Sequence, residues 1–228
     1  YEGKENADTR AVVRSGVKYL AAVHHAAKAY HRLADLKKGG FNFEMSIDET
    51  STPTTALDHR IIATELADEG VMLFSLAPRF IGKFEKGIDY IGDTREFRSA
   101  LKRHVELSQE LGGYRLSLHS GSDKFSVYPA FGEMTDGFFH VKTAGTSFLE
   151  AVKTVAARDL TFFMKMYELA IDTFEKNAAS YEISADVTKI PAPVTLDEVK
   201  AVEELTGNPH MRQVLHIAFG VILQTMGN

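Results

Sequence analysis

Along this chain, short stretches with a two-residue hydrophobic period alternate with longer stretches of helical period, and that alternation restricts the fold to a parallel α/β sheet. The clearest strand is residues 41–48, FNFEMSID. Phe41, Phe43, Met45 and Ile47 face one way, and Asn42, Glu44, Ser46 and Asp48 the other. Further strands are expected over residues 71–77, 114–119, 137–142, 181–186 and 214–222, roughly six in all. Helices are expected over residues 11–36, 58–67, 94–111, 148–157, 160–180 and 196–205. Thr54 or Thr55, Thr94 and Thr195 are the expected caps, and Lys37-Lys38-Gly39-Gly40 and Gly112-Gly113 the stops.

Several of these strands send polar residues to a common side. A TIM-type (β/α) barrel is therefore preferred to a doubly wound sheet, with residues 1–228 forming one catalytic domain. The chain begins at Tyr1 and stops just after an apolar run, so an incomplete barrel, truncated at one or both ends, is expected.

Composition narrows the function classes. With 44% hydrophobic and 25% charged residues there is material for one sizeable core. A net charge of -5, with no basic run, leaves no footprint for nucleic acid or an anionic membrane, so a small-molecule partner is expected. No apolar run reaches the ~20 residues of a membrane span, and no signal-peptide pattern opens the chain. A cytoplasmic enzyme is expected, with homo-oligomerisation left open. The chain has no cysteine, so a metal would have to be held by His, Asp, Glu or carbonyl oxygen.

Candidate site residues gather at the ends of the expected strands. In YRLSLHSGSDKFS, Arg115, Ser117 and His119 share a strand face, and the loop that follows offers Ser120, Ser122, Asp123 and Lys124. In parallel strands the C-terminal ends converge. His119, His140 and His216, with Glu44 and Asp48, then make a candidate site for zinc, nickel, manganese or cobalt. Asp48, Asp123 and Glu182 are the candidates for proton transfer. Arg79, Lys124 and Lys142 are the candidate partners of a substrate carboxylate, and Ser120, Ser122 and Thr143 of its hydroxyls. The segment Thr143 to Ser147, TAGTS, enters a helix and reads as an anion- or oxygen-binding corner. His24, His25 and His31 read as surface or packing histidines, and Asp58-His59-Arg60 as a helix-terminus charge pattern.

The segments SIDETSTPTT, SLAPRFIGKFEKGIDYIGD, LSLHSGSDKFS and HVKTAGTS together resemble the tagaturonate epimerases, also called tagaturonate/fructuronate epimerases, some of which act on ketohexoses. The resemblance runs from Phe41 onward and its long motifs are specific. It implies a TIM-type barrel, a divalent metal, and interconversion of tagaturonate with fructuronate in hexuronate breakdown. Family members are longer than this chain. LHSGS is also similar to the LHGGS segment of class II aldolases, whose histidine binds zinc, which implies a ligand role for His119. The carbon inverted in such an epimerisation lies β to the ketone, so simple enolisation does not acidify its hydrogen. Retro-aldol cleavage and re-addition solve that problem, with hydride transfer as the other route. A metal aldolase or lyase on a sugar acid, and a sugar-acid binding module without catalysis, are the alternative readings.

Overall fold

The computed structural model describes residues 8–143, 145–179 and 181–226. Ala144 of the TAGTS turn and Ser180 of the helix expected over residues 160–180 lie outside them. The chain divides into two compact units.

The first unit comprises residues 1–82, 92–119 and 127–141. It opens on helix α1, Thr9–Leu36, capped by the Asp8 carboxylate on the Arg10 N–H. There follow β1 (Glu44–Ile47), α2 (Ala56–Asp68), β2 (Ser75–Pro78), α3 (Thr94–Glu110), β3 (Arg115–Leu118), α4 (Tyr128–Met134) and β4 (Phe139–Val141). The four strands are parallel and lie in chain order β1-β2-β3-β4, as successive β/α units require. Thr55 caps α2 through a reciprocal box: its hydroxyl accepts from the Asp58 N–H, and the Asp58 carboxylate accepts from the Thr55 N–H. The helix-terminus reading of Asp58 is therefore met. Helix α3 is capped by Asp93, one residue before the expected Thr94.

The two faces of this sheet differ sharply. Met45, Ile47 and Leu76 are buried in a core with Tyr19, Val23 and Ala27 of α1 and Ile62, Ala63 and Leu66 of α2. A second apolar group packs Phe80, Phe97 and Phe131 in tilted and edge-to-face contacts, with centroids 5.3–5.8 Å apart. The buried stripe of α1 runs through Ser15, Tyr19, Val23, Ala26 and Ala27, while Val13 and Val17 are exposed. His24, His25 and His31 are exposed. The opposite sheet face carries Glu44, Ser46, Ser75, Ala77, Ser117 and His140.

That polar face is concave. In a flat sheet with strands ~4.8 Å apart, β1 and β4 would stand ~14 Å apart, more than a Glu and a His side chain joined by a hydrogen bond can span. Yet the Glu44 carboxylate on β1 lies 2.9 Å from the His140 ring on β4. The sheet must curl with its polar side inward.

The second unit comprises residues 83–91, 120–126 and 142–228. Its helices are α5 (Thr146–Arg158), α6 (Leu160–Asp172), α7 (Phe174–Ala178), α8 (Glu198–Gly207), α9 (Pro209–Ile217) and α10 (Phe219–Met226). Leu149, Val152, Phe163, Tyr167, Ala201, Leu205, Val214, Leu215 and Ile222 form its core.

Two expected strands fall in this unit and neither forms. Residues 214–222 are helical: Asn208 caps α9 and Pro209 opens it, and Met211, Val214, Leu215, Ala218 and Ile222 are buried at helical spacing. Residues 181–186 are irregular. The Ser184 N–H donates to the Glu85 carboxylate and the Asp186 N–H to His210, so two backbone donors end on side chains instead of a ladder. Among the described residues the sheet therefore has four strands, with β1 and β4 as its edges.

Candidate functional site

In the first unit the curled polar face gathers Glu44, Asp48, His119 and His140. The period-two alternation of β1 puts Glu44 and Ser46 on this side, with Asp48 just beyond the strand end. His119 is one residue past β3 and His140 is central in β4. The His119 ring is clamped at both nitrogens: Nε2 lies 2.7 Å from Glu44 Oε1 and Nδ1 3.1 Å from Asp48 Oδ1. An imidazole facing carboxylates at both nitrogens donates twice, so it carries the positive charge. The Asp48 hydrogen bond, aided by that from Glu44 and by both charges, raises the His119 pKa against the effect of burial.

Glu44 is the pivot. Its Oε2 accepts from the Ser75 hydroxyl at 2.5 Å and lies 2.9 Å from His140 Nδ1. Burial pushes the Glu44 carboxyl up, but hydrogen bonds from Ser75, His140 and His119 together hold it down at about 2. Asp48 behaves alike: burial raises it, while His119 and the Ser46 hydroxyl, 2.6 Å away, hold it at about 2. His140 Nδ1 is also 3.0 Å from the Ser117 hydroxyl. His119 is buried and His140 exposed, so the cluster has a dry floor and an open side.

The donor types fit a borderline divalent ion: two imidazoles and two carboxylates. The pairs stand 2.7–3.1 Å apart. Cis ligands of an octahedral ion with ~2.1 Å bonds are ~3.0 Å apart, so the spacing also fits. Among the described residues, however, no three His, Asp or Glu side chains converge on one point as a ready coordination shell. Each donor is turned onto its neighbour, and ion binding would exchange these hydrogen bonds for ligand bonds. Arg79 is part of the same unit. Its guanidinium donates to the Thr50 carbonyl and its N–H to the Thr54 hydroxyl, which ties it to the loop after β1.

The second unit holds the rest of the expected residues. Lys124 is 0% exposed, and its ammonium donates to the carbonyls of Glu85, Ile88 and Ser122 at 2.5–2.8 Å. All three donors are spent, so Lys124 staples loops here and does not stand open to an anion. Burial lowers its pKa to about 8. Asp123, with φ +63°, pairs through Oδ1 with Arg212 at 3.0 Å, and burial raises its pKa against that charge. Ser122 accepts from the Gly145 N–H, and Ser120 accepts from Lys86. Lys142 and Thr143 are exposed, and the Lys142 carbonyl accepts from the Gly121 N–H. Glu182 is exposed on the irregular segment, not on a strand.

His216 lies on helix α9, which corrects its placement at a strand end. Burial and the charges of Lys86, Lys124 and Arg212 lower its pKa to about 4. Its ring occupies the space beside Gly145, where a Cβ would sit 1.7 Å from His216 Cε1. The neutral imidazole is a packing element for the TAGTS turn. The structure thus brings Glu44, Asp48, His119 and His140 together in one unit and leaves His216, Asp123 and Glu182 in the other.

The hydroxyls beneath the cluster escape a reading of the sequence. Ser75 is the lone polar residue in VMLFSLA, and Ser117 lies two residues before His119; both are visible only as face-sharing positions. Glu85 escapes it too, a buried residue that accepts from the Ser184 N–H and hydroxyl and from Gln213. No pattern in its loop announces it.

The tagaturonate epimerase family model matches residues 2–228. A tagaturonate/fructuronate epimerase of Thermotoga maritima is 46% identical over 209 residues, which are 90% of this chain and 42% of that protein. A glycerol-complexed crystal structure of the fructuronate-tagaturonate epimerase of Cohnella laeviribosi superposes with a TM-score of 0.92. The two are 38% identical over 99% of this chain and 46% of that one. The native crystal structure of the same enzyme gives 0.92 at 38% identity, over 97% of this chain and 45% of that one. The chain thus spans less than half the length of the relatives it matches.

Proposed function

The chain belongs to the tagaturonate epimerase family, and from that premise we propose that its protein interconverts D-tagaturonate and D-fructuronate, with the Glu44, Asp48, His119 and His140 cluster as the reacting face. One observation supports the assignment of this face above all: Glu44 touches both imidazoles while Asp48 holds the far nitrogen of His119. The curl of the sheet around this face also agrees with a TIM-type barrel completed by other parts of the protein, with the active site at the C-terminal strand ends.

The epimerised carbon bears a hydroxyl and lies β to the ketone. Removing that hydroxyl proton lets the bond between the α and β carbons break. Its electron pair moves toward the ketone, giving a three-carbon enediolate and a three-carbon aldehyde acid. Rotation of the aldehyde and re-addition from its other face restore the bond with inverted configuration, and the proton returns to the new alkoxide. Nothing is oxidised overall.

Asp48 is the group that takes and returns this proton. Apart from burial, the His119 hydrogen bond is the largest influence on its acidity, so a His119 ring turned to another partner leaves Asp48 the stronger base. A divalent ion held by His119, His140 and Glu44 would supply Lewis-acid polarisation of the ketone oxygen. Zinc, nickel, manganese and cobalt all suit that donor set.

The test is an NMR assay of the full-length protein on tagaturonate and fructuronate, with metal analysis and each divalent ion added in turn. Interconversion is expected, together with low levels of trappable three-carbon products. Its absence with every ion overturns the proposal. In the same protein His119→Ala is expected to lose both metal and activity, and retention of both would remove His119 from the mechanism.

A further inference from the structure

Two side chains of the cluster, Glu44 and His140, stand on hydroxyls that no substrate can reach. Ser75 is 1% exposed and Ser117 0% exposed. Each is paired in strand register with the residue it serves: Ser75 lies opposite Glu44, and Ser117 opposite His140. The contacts follow the register, with Ser75 Oγ donating to Glu44 Oε2 at 2.5 Å and Ser117 Oγ 3.0 Å from His140 Nδ1. A hydroxyl buried in a sheet costs stability unless it is hydrogen-bonded, so an alanine would serve packing alone at either position more cheaply. Both instead spend their hydrogen bond on a member of the charged cluster.

The two bonds fix different freedoms. Glu44 must reach across two strands to His140, and its carboxylate can rotate about its terminal bond. The Ser75 bond on Oε2 pins that rotation, which leaves Oε1 aimed at His119 Nε2. Ser117 fixes the His140 ring instead. His140 Nδ1 faces the Glu44 carboxylate, which only accepts, so Nδ1 carries the proton and the Ser117 oxygen is a second acceptor that holds the ring in that orientation.

Resting on the proposed epimerase reading, we infer that Ser75 and Ser117 are positioning residues: they set the orientation of the Glu44 carboxylate and the His140 ring, and through them the geometry of the ion-binding and reacting face.

The experiment uses the full-length enzyme carrying Ser75→Ala, Ser75→Cys, Ser75→Thr and Ser117→Ala. Ser75→Cys keeps the volume with a poor donor, and Ser75→Thr keeps the hydroxyl. Divalent-ion affinity is expected to fall ~10-fold or more in Ser75→Ala, Ser75→Cys and Ser117→Ala, the usual loss for a residue that orients a ligand. Ser75→Thr is expected to recover most of it. In the same variants kcat falls with KM little changed, and the cobalt-substituted protein shows an altered visible spectrum.

A readout independent of metal accompanies these. In metal-free protein the imidazole 15N shifts of His140 should move in Ser117→Ala, and those of His119 in Ser75→Ala. Parent-like ion affinity, kcat and 15N shifts in the alanine variants overturn the inference, as does a Ser75→Thr no better than Ser75→Cys. A parent that binds no divalent ion overturns the metal reading instead, and the 15N shifts then still decide whether the serines position the rings.

Discussion

Acid should loosen the first unit through a buried histidine pair remote from the reacting cluster. His59 of α2 is 0% exposed, with Nδ1 2.9 Å from His104 Nδ1 of α3 and Nε2 2.7 Å from the Tyr114 hydroxyl. Burial drives the His104 pKa down to about 4, against a Thr54 backbone hydrogen bond and the Asp58 charge that favour its charged form, with Arg103 adding to the fall. Burial and the charges of His104 and Arg60 likewise push His59 well down. Both folded values lie below the unfolded one, so the unfolded chain binds more protons across the interval between them. Stability is therefore full above pH ~6.5 and is lost as pH falls toward 4. For His104 alone the loss is about 2 kcal/mol at pH 5 and ~3 kcal/mol at pH 4, because each pH unit between the unfolded and folded pKa values is worth ~1.4 kcal/mol. His59 adds to it with the same sign. His119, whose folded pKa is raised, contributes with the opposite sign, so a raw comparison of two pH values mixes the two. Urea unfolding of the parent and of His104→Gln at pH 7.5 and 5.0 separates them. The variant should lose about 2 kcal/mol less than the parent between the two pH values. Equal losses would show that the pair does not resist protonation.

Two further substitutions test the second unit. Gly145→Ala places a methyl on the His216 ring and should cost about 2 kcal/mol or more in chemical denaturation. His216→Ala introduced in the same chain should return most of that loss, whereas no rescue would show that the ring is not what requires glycine. Lys124→Met leaves three buried carbonyls without their donor and should cost about 3 kcal/mol. Thermal melting checks this, and an unchanged transition would place the ammonium elsewhere than on those carbonyls.

What the sequence makes legible follows from how local each signal is. The alternation of FNFEMSID settles the faces of β1, and Glu44 and Asp48 do share the polar one, because a period of two needs no tertiary information. The cap at Thr55 is equally near at hand. The failure at residues 214–222 has a definite cause: buried Val214, Leu215, Ala218 and Ile222 satisfy a short buried strand and a helix alike, and only the Asn208-Pro209 start distinguishes them. His216 goes astray with that segment. Lys124 reads as an anion partner because a lysine in a Ser/Gly loop is usually open. Its burial depends on carbonyls of residues 85 and 88, which no local pattern announces.

Least legible is the role of small residues in β2. This strand contributes to the polar face only Ser75 and Ala77, both buried, while its neighbours carry Glu44 and Ser46 on one side and Ser117 on the other. In a sheet curled toward that face, the inner side chains of middle strands crowd first. A side chain longer than threonine at 75 or 77 would stand in the path from Glu44 to His119 and His140. Small side chains on β2 therefore do two things together: they let the sheet bend, and they leave the volume in which a carboxylate from an edge strand meets an imidazole from the opposite edge. Ser75 adds a hydroxyl at the base of that path, so the residue that clears the way for Glu44 also decides where its carboxylate points.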